Sequence, residues 1–495
     1  MPSRLPADCL NEIFDYLEED KPTLHSCLLV NRLWCKISIR ILWRNIWDLK
    51  YSVTYQHRPK VASAILSTLV ACLPNESKEL LYKNGIFIPT PTSKPPLFNY
   101  VAFCKVLSIC EIGRIIDDTL EKIPITSQSL KDRKSLIANE IIKMFINQIS
   151  SLKLLMYYLI KNIPYDISFD CFFGARNYLI NLSELGCNSN LPSEFFDQIT
   201  QICHNLQSLT INFENEISNE LKKLISLQNN LKNLYLFAFD GGDWTNIIPT
   251  LTKHSNTLTK LHLYSDHDDN LPLSFVSLFP NLQEIKFSFS YVGTQFEDFE
   301  KLQNVNFPKL QFLSIPYQCP KPEYVMRFLE NNGKNLKVFY TEENNRDLNL
   351  SIAKFCPNLI NLFIVFSYNE LDVLKTIFNN CQYLESIKIW CGDGFLSEKE
   401  VLETVAKYSP KNFRELKIYN DPVSELLPED LESFFIIWKN RTPKKSLTLI
   451  IIKEYDSNLE LNKENMEIIE KYKKLGIIKK FETKEYGEDE SKNYI

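Results

Sequence analysis

The stretch HLYSDHDD holds the side chains best suited to bind a metal ion. His262, Asp266, His267 and Asp268 lie within a few residues of one another, and imidazole and carboxylate groups are ligands of zinc. His262 belongs to an apolar alternation typical of a strand, whereas the other three lie in the polar turn that follows. We therefore predict a solvated loop at this point and no metal.

The sequence contains none of the short motifs that carry common catalytic chemistry. It lacks the phosphate-binding G-x-x-x-x-G-K-[ST], the nucleophile elbow G-x-S-x-G and the zinc-protease H-E-x-x-H. With only 12 glycines it is also poor in tight loops. We expect a protein that is not an enzyme and that needs no cofactor.

Thirteen cysteines are scattered through the chain without a C-x-x-C pair. The N-terminus shows no basic-then-apolar signal sequence, so we expect reduced thiols and a location in the cytoplasm or the nucleus. Cys203, Cys356 and Cys381 each end a helical segment just before a strand leucine. We predict that these thiols fill the core rather than react.

Composition limits the classes of partner. The 495 residues include 56 basic and 61 acidic ones, for a net charge of -5, and 44% are hydrophobic. Such a balance does not favour nucleic acid or a membrane surface as partner. The apolar stretches are shorter than the roughly 20 residues of a spanning helix. The length predicts several domains or one elongated domain.

The N-terminal stretch LPADCLNEIFDYL predicts an amphipathic helix. Leu10, Ile13, Phe14 and Leu17 fall at i, i+3, i+4 and i+7, and Pro6 suits the start of the helix. Two further short helices follow, one carrying Leu24, Cys27 and Leu28 and the next Trp34, Ile37 and Ile41. About 45 residues cannot bury three apolar stripes in one another, so part of this surface must meet a partner or the next domain.

Residues 3 to about 47 resemble the F-box family. The matching residues are, in order, Leu5-Pro6, Leu10, Ile13-Phe14, Leu17, Cys27, Leu29-Val30-Asn31-Arg32, Trp34 and Leu42-Trp43. Asp8 stands where many members carry glutamate. The resemblance implies docking on a Skp-type adaptor and, through it, on a cullin-RING ubiquitin ligase.

By the same resemblance, seven residues form or border the adaptor-binding surface: Leu5, Pro6, Leu10, Ile13, Leu17, Val30 and Trp34. The alternative is that these helices only cap the end of the following domain, because leucine and tryptophan at helical spacing commonly form a core.

The remainder of the chain carries an internal repeat of the pattern L-x-x-L-x-[apolar]. Its first apolar positions recur every 23 to 29 residues, at Leu206, Leu231, Leu258, Leu282, Leu310, Leu336, Leu359, Leu384 and Phe413. Earlier copies are predicted at SLKLLMY and NLSELGC. Each copy reads as a short strand, and helical spacing precedes it. Units of this kind bury their apolar faces only by stacking into a solenoid.

This pattern resembles leucine-rich repeats. We predict a mixed α/β fold, in which a three-helix F-box precedes a right-handed leucine-rich-repeat horseshoe with strands on its concave side. The predicted domains are the F-box at 1–47, a helical linker at 48–150, the solenoid at 151–445, a C-terminal cap at 446–485 and a solvated tail at 486–495.

Strand positions that alternate with the repeat leucines are the candidate target-binding residues. They are rich in aromatic side chains and lysines, namely Tyr235, Phe237, Tyr264, Lys286, Phe363, Lys388, Trp390, Lys417 and Tyr419. Exposed aromatic side chains in a concave groove are typical anchors for protein recognition. The alternative is that aromatic residues are present because they favour strands.

The predicted function is that of a substrate receptor of a Skp-cullin-F-box ubiquitin ligase, which binds the adaptor at one end and an unknown target protein in the groove. One alternative is a leucine-rich-repeat scaffold without a role in ubiquitin transfer. Another is a repeat protein that binds a small ligand or RNA, with the N-terminal helices as a cap; RNA binding of that kind would weaken steeply with salt.

Overall fold

The computed structural model describes residues 6–51, 57–91, 96–120, 127–158, 179–214, 217–239, 241–267, 271–290, 296–421, 424, 426–453 and 462–485. The chain divides into two compact units, Met1–Leu231 and Lys232–Ile495. Each unit combines parallel strands with helices, as the predicted α/β repeat fold requires.

The first unit begins with three short helices, at the places that the apolar spacing predicts. They are α1 (Ala7–Asp15), α2 (Lys21–Cys27) and α3 (Arg32–Leu42). The side chain of Asp20 accepts a hydrogen bond from Thr23 N at 3.1 Å, and that of Asn31 accepts one from Trp34 N at 2.9 Å. These side-chain caps satisfy backbone donors that a helix start leaves unpaired, and so fix where α2 and α3 begin.

Helices dominate the region that follows, as predicted for residues 48–150. They are α4 (Asp48–Tyr51), α5 (Arg58–Cys72), α6 (Asn75–Lys83), α7 (Ile109–Leu120) and α8 (Ser127–Gln148). Trp43 stacks on Tyr100 with ring centroids 4.6 Å apart. Trp47 Nε1 donates to the buried Val106 O at 3.1 Å. The end of the N-terminal module therefore packs tightly on this helical region.

This region also contains a strand that the sequence pattern did not predict. β1 (Val106–Ser108) is buried along its whole length and pairs with β2 (Leu154–Tyr157). Three consecutive buried residues show no alternation, so they cannot be told from helix by periodicity. The parallel sheet therefore begins about 45 residues before residue 151, the predicted start of the solenoid.

The described residues from 179 to the end of the first unit form strand and helix repeats. They contain β3 (Glu184–Asn188), α9 (Ser193–Ile202), β4 (Ser208–Phe213) and α10 (Asn219–Leu227). The side chain of the buried Gln228 joins two repeats: its Nε2 donates to Cys203 O and its Oε1 accepts from Leu206 N, each at 2.9 Å. The strands predicted at SLKLLMY and NLSELGC are confirmed as β2 and β3.

In its described residues, the second unit has ten parallel strands in sequence order. They are β5 (Asn233–Ala238), β6 (Lys260–Ser265), β7 (Glu284–Phe289), β8 (Phe312–Ile315), β9 (Val338–Thr341), β10 (Asn361–Ile364), β11 (Ser386–Gly392), β12 (Glu415–Asp421), β13 (Leu447–Lys453) and β14 (Ile478–Glu485). Neighbouring strands pair in register, so that Tyr235 lies beside His262 and His262 beside Lys286. Equivalent positions of successive repeats therefore form rows across the strands.

Helical segments connect these strands. The α-helices are α11 (Ile248–Leu251), α12 (Pro322–Asn332), α13 (Arg346–Phe355), α14 (Leu371–Asn380), α15 (Glu398–Tyr408), α16 (Pro428–Lys439) and α17 (Lys463–Lys474). Several connections are instead 3-10 turns, such as Ser274–Leu278 and Glu297–Lys301. One helical element per strand is the predicted repeat, and this part of the prediction is confirmed.

The repeat leucines form the core. All nine predicted positions, from Leu206 to Phe413, are at most 1% exposed. Asn332 is buried at the end of α12, where its Oδ1 accepts from Phe307 N at 2.7 Å and its Nδ2 donates to Val305 O at 2.9 Å. Side-chain amides thus complete the backbone hydrogen bonding of buried turns, as buried polar groups require.

The three helix-end thiols are buried as predicted. Cys381 Sγ donates to Cys356 O at 3.4 Å, and Cys203 Sγ to Leu179 O at 3.4 Å. Burial raises the pKa of both Cys203 and Cys381 to about 12. Because the thiolate is the reactive form, these cysteines are unreactive core residues.

The predicted C-terminal cap consists of β13, α17 and β14, in the expected strand, helix and strand order. The predicted tail at 486–495 lies outside the described residues. The predicted domain boundaries at 47, 150, 445 and 485 stay predictions. None of the described helices is both long and apolar enough to cross a membrane.

Candidate protein-interaction surfaces

The N-terminal helices leave large apolar side chains in solvent. Leu29 is 90% exposed, Val30 56% and Ile13 48%. Tyr16 and Leu33 are also exposed. We call these five residues the N-terminal apolar set. Isolated apolar side chains are common on protein surfaces, but five within 21 residues of a small helical module indicate a surface that another molecule covers.

The predicted adaptor residues divide between this exposed surface and the interior. Ile13 and Val30 belong to the exposed set, Pro6 is exposed and Leu17 is half-buried. Leu10 is buried in this chain, and its contribution to the adaptor surface stays a prediction. Trp34 is half-buried, because its ring meets that of Phe14 edge-on at 5.0 Å. Leu5 lies outside the described residues.

Ionic contacts hold the end of α1 against the end of α3. Arg44 contacts Asp15 at 2.8 Å and Glu18 at 3.0 Å. Tyr16 lies between those two carboxylates in sequence and is 91% exposed. Sequence reasoning missed Tyr16, although its position three residues after Ile13 places both on one helix face.

The second candidate surface is made of the strand residues of the second unit that alternate with the repeat leucines, which we call the alternate strand face. Five of the predicted target-binding residues are half-buried on β5, β6, β11 and β12, namely Tyr235, Phe237, Tyr264, Trp390 and Lys417. Tyr264 lies 5.7 Å from Phe237 and 5.3 Å from Phe239, measured between ring centroids. The half-buried aromatic side chains of β5 and β6 therefore form a cluster.

Four of the predicted target-binding residues are instead buried. Lys286, Phe363, Lys388 and Tyr419 are at most 6% exposed, so the expectation that they line an open groove is wrong. In-register strands place neighbouring rows of side chains about 4.8 Å apart, and large side chains at that spacing cover one another. Lys286, for example, lies in register between His262 and Ser314.

Two clusters show how this burial arises. Lys388 Nζ lies 4.5 Å above the Phe363 ring, and Phe363 in turn packs against Tyr340 with centroids 4.2 Å apart. Tyr419 packs with Ile450 and Ile452, and its ring lies 4.3 Å from that of Trp390.

The indole N–H of Trp390 is buried and has no hydrogen-bond partner in the described part of the chain. A buried indole N–H normally finds an acceptor. The Trp390 N–H is thus a buried donor left unsatisfied by the described residues, which costs free energy in the folded chain.

His262 lies on β6, as predicted, and takes part in an ion-pair network. Its Nε2 lies 2.7 Å from Glu284 Oε1, and Lys260 Nζ lies 2.8 Å from Glu284 Oε2. Burial lowers the pKa of His262, and Glu284 offsets this only in part. Burial alone would raise the pKa of Glu284, but the hydrogen bonds from His262 and Lys260 prevail and lower it to about 2.

The described residues that follow His262 in the HLYSDHDD stretch do not form a metal site with it. His267 Nε2 lies 3.1 Å from Gly242 O, and Asp268 is outside the described residues. Within the described ranges, no group of three or more His, Cys, Asp or Glu side chains is arranged to hold a metal ion.

Comparison with known proteins gave matches among solved structures only. No family model and no curated protein matches this chain. The leucine-rich repeat-containing protein LegL7 from Legionella pneumophila aligns with 14% identity and a TM-score of 0.31, over 66% of this chain and 92% of its own. The yeast complex of Rad7 and Elc1 aligns with 14% identity and a TM-score of 0.36, over 92% of this chain and 94% of that one.

The TLR13-ssRNA13 complex aligns with 15% identity and a TM-score of 0.34. The match covers 63% of this chain and 41% of that one. The assignment of the leucine-rich-repeat fold rests on the strand register and the buried repeat leucines of the chain itself.

Proposed function

We propose that this chain is the substrate-recognition subunit of a Skp-cullin-F-box ubiquitin ligase, present in the cytoplasm or the nucleus. The observation that carries the proposal is the N-terminal apolar set, exposed on helices whose residue types resemble an F-box. A small module that leaves Leu29, Val30 and Ile13 in water is stabilised when a partner covers them, by about 25 cal/mol per Å² of apolar surface buried.

The repeat region then binds the target protein. The half-buried aromatic side chains of β5 and β6, together with the half-buried ring of Trp390, are the anchors that a target would contact. The chain performs no bond chemistry itself. It raises the effective concentration of target lysines near a ubiquitin-charged enzyme carried elsewhere in the complex.

The proposal is tested by a pull-down of the full chain with a Skp-type adaptor. We expect the Ile13→Ser, Val30→Ser double variant to bind at least about 10-fold more weakly than wild type, because both side chains lose apolar contact. The matched control is Leu97→Ser, Ile180→Ser. It removes two exposed apolar side chains from other parts of the first unit, and it should bind like wild type.

A well-folded wild-type chain that does not bind the adaptor would exclude the ligase proposal. An adaptor complex that does not recruit a cullin would instead support the alternative, a leucine-rich-repeat scaffold without a role in ubiquitin transfer.

A further inference from the structure

A basic cavity of about 340 Å³ lies in the second unit, where the chain enters strands β8 to β10. Its cationic lining consists of Lys309, Lys334 and Lys337, and the other polar side chains that line it are amides. No carboxylate lines the cavity. Its polar lining does not resemble a typical small-molecule pocket, which is mostly apolar.

The three lysines lack counter-ions, unlike basic residues at neighbouring strand starts. Arg414 contacts Glu385 at 2.6 Å, and Lys260 contacts Glu284 at 2.8 Å. By contrast, the side chains of the cavity lysines form no ion pair or hydrogen bond with any residue that the structure describes. Lys309 and Lys334 are exposed and Lys337 is half-buried, so their ammonium groups are available to attract an anion to the cavity.

Cross-repeat hydrogen bonds hold the backbone of this cavity in place. Asn335 Nδ2 donates to Pro308 O at 3.0 Å, next to Lys309. Asn358 Nδ2 donates to Lys334 O at 2.9 Å. The lysines therefore extend from two successive turns whose spacing is fixed, and the positive charge is concentrated before any ligand arrives.

We propose that this cavity binds clustered negative side chains on an extended segment of a protein partner. The amides of Gln283 and Gln311 also line the cavity, and in the described residues their side chains have no hydrogen-bond partner. An amide both donates and accepts, which matches the N–H and C=O groups of a peptide backbone. An ionised phosphate has no donor and would leave the amide oxygens unused. The proposal does not depend on the adaptor.

The test measures fluorescence anisotropy of the full chain with a labelled peptide, Gly-Ser-Glu-Glu-Glu-Ser-Gly, and with the same peptide carrying three glutamines. We expect the glutamate peptide to bind about 10-fold more tightly at low salt. The Lys334→Gln, Lys337→Gln variant should weaken that binding about 5- to 30-fold, since each exposed ion pair contributes about 0.5 to 1 kcal/mol.

The matched control is Lys411→Gln, Lys444→Gln, which changes the net charge equally at two exposed lysines elsewhere in the unit. It should bind the glutamate peptide like wild type. Equal binding of the two peptides, or an equal loss in the control, would overturn the proposal. Thermal unfolding of both variants should match wild type, because all four side chains lie outside the core.

A third peptide with phosphoserine at the centre identifies the anion. Tighter binding than that of the glutamate peptide, abolished by Lys334→Gln, Lys337→Gln, would support phosphate as the preferred charge. Inorganic phosphate that binds the chain while none of the peptides does would overturn the assignment to a protein partner.

Discussion

The N-terminal helices and the alternate strand face carry similar apolar patterns but differ in what those patterns do. In the N-terminal module, Ile13 on α1 and Leu29 in the turn between α2 and α3 are exposed. On the strands, Tyr419 and Phe363 are buried by their own neighbours. A helix face is covered only if another element packs on it, whereas a strand residue always has a neighbouring row about 4.8 Å away. Large apolar or aromatic side chains therefore indicate a docking surface in one region and self-packing in the other.

The largest effect that tests this comparison is expected from Tyr419→Ala. The side chain is 2% exposed and packs with Ile450, Ile452 and Trp390, so its loss should lower the free energy of unfolding by about 3 to 5 kcal/mol. Urea denaturation measures the change. Tyr383→Ala, at an exposed tyrosine of the same unit, is the control and should change it by less than about 0.5 kcal/mol. A small effect of Tyr419→Ala would mean that its ring is available to a partner.

An intermediate effect is expected from Glu284→Gln on the dependence of stability on pH. Because the pKa of Glu284 is lowered to about 2 from 4.5 in the folded chain, its ionised form adds stability above about pH 4.5. This contribution is lost as the pH falls towards 2 and amounts to about 2 to 3 kcal/mol. At pH 7 the variant should have a lower free energy of unfolding than wild type. Below pH 5 its free energy of unfolding should fall less steeply with pH than that of wild type. If the free energy of unfolding fell with pH in parallel for the variant and the wild type, the contacts of Glu284 with His262 and Lys260 would not contribute to stability.

The smallest effect on stability is expected from Leu29→Ser. The side chain is 90% exposed, so the free energy of unfolding of the isolated chain should change by less than about 0.5 kcal/mol. Phe14→Ala provides the contrast, because Phe14 is buried against Trp34. This substitution should lower the free energy of unfolding by about 3 to 5 kcal/mol. If Leu29→Ser destabilised the chain as much, Leu29 would belong to a core and the two regions would not differ.

Much of the fold could be predicted from spacing alone. A period near 26 located the repeat leucines from Leu206 to Phe413, and the i, i+3, i+4, i+7 spacing located α1. The strand β1 could not be predicted, because three buried residues carry no period. Local pattern identifies elements where one face is apolar and the other polar, and it fails where an element is buried on all sides.

The candidate sites were less predictable, because they depend on register between distant segments. Lys388 contacts the ring of Phe363, 25 residues earlier in the sequence. The basic cavity likewise combines Lys309 with Lys334. Spacing in sequence predicts which residues occupy equivalent positions, but which of them touch depends on side-chain size and on which turns approach each other.

The buried amides of Gln228 and Asn332 have a consequence for how this chain can change in length during evolution. Asn332 serves Phe307 N and Val305 O, which belong to an earlier segment. Deleting the segment that carries Asn332 would leave those backbone groups buried without partners, at about 1 to 3 kcal/mol each. Gain or loss of repeats should therefore be tolerated only when an amide and the turn to which it bonds are inherited together. The segment that can be inserted or deleted is then a pair of adjacent repeats.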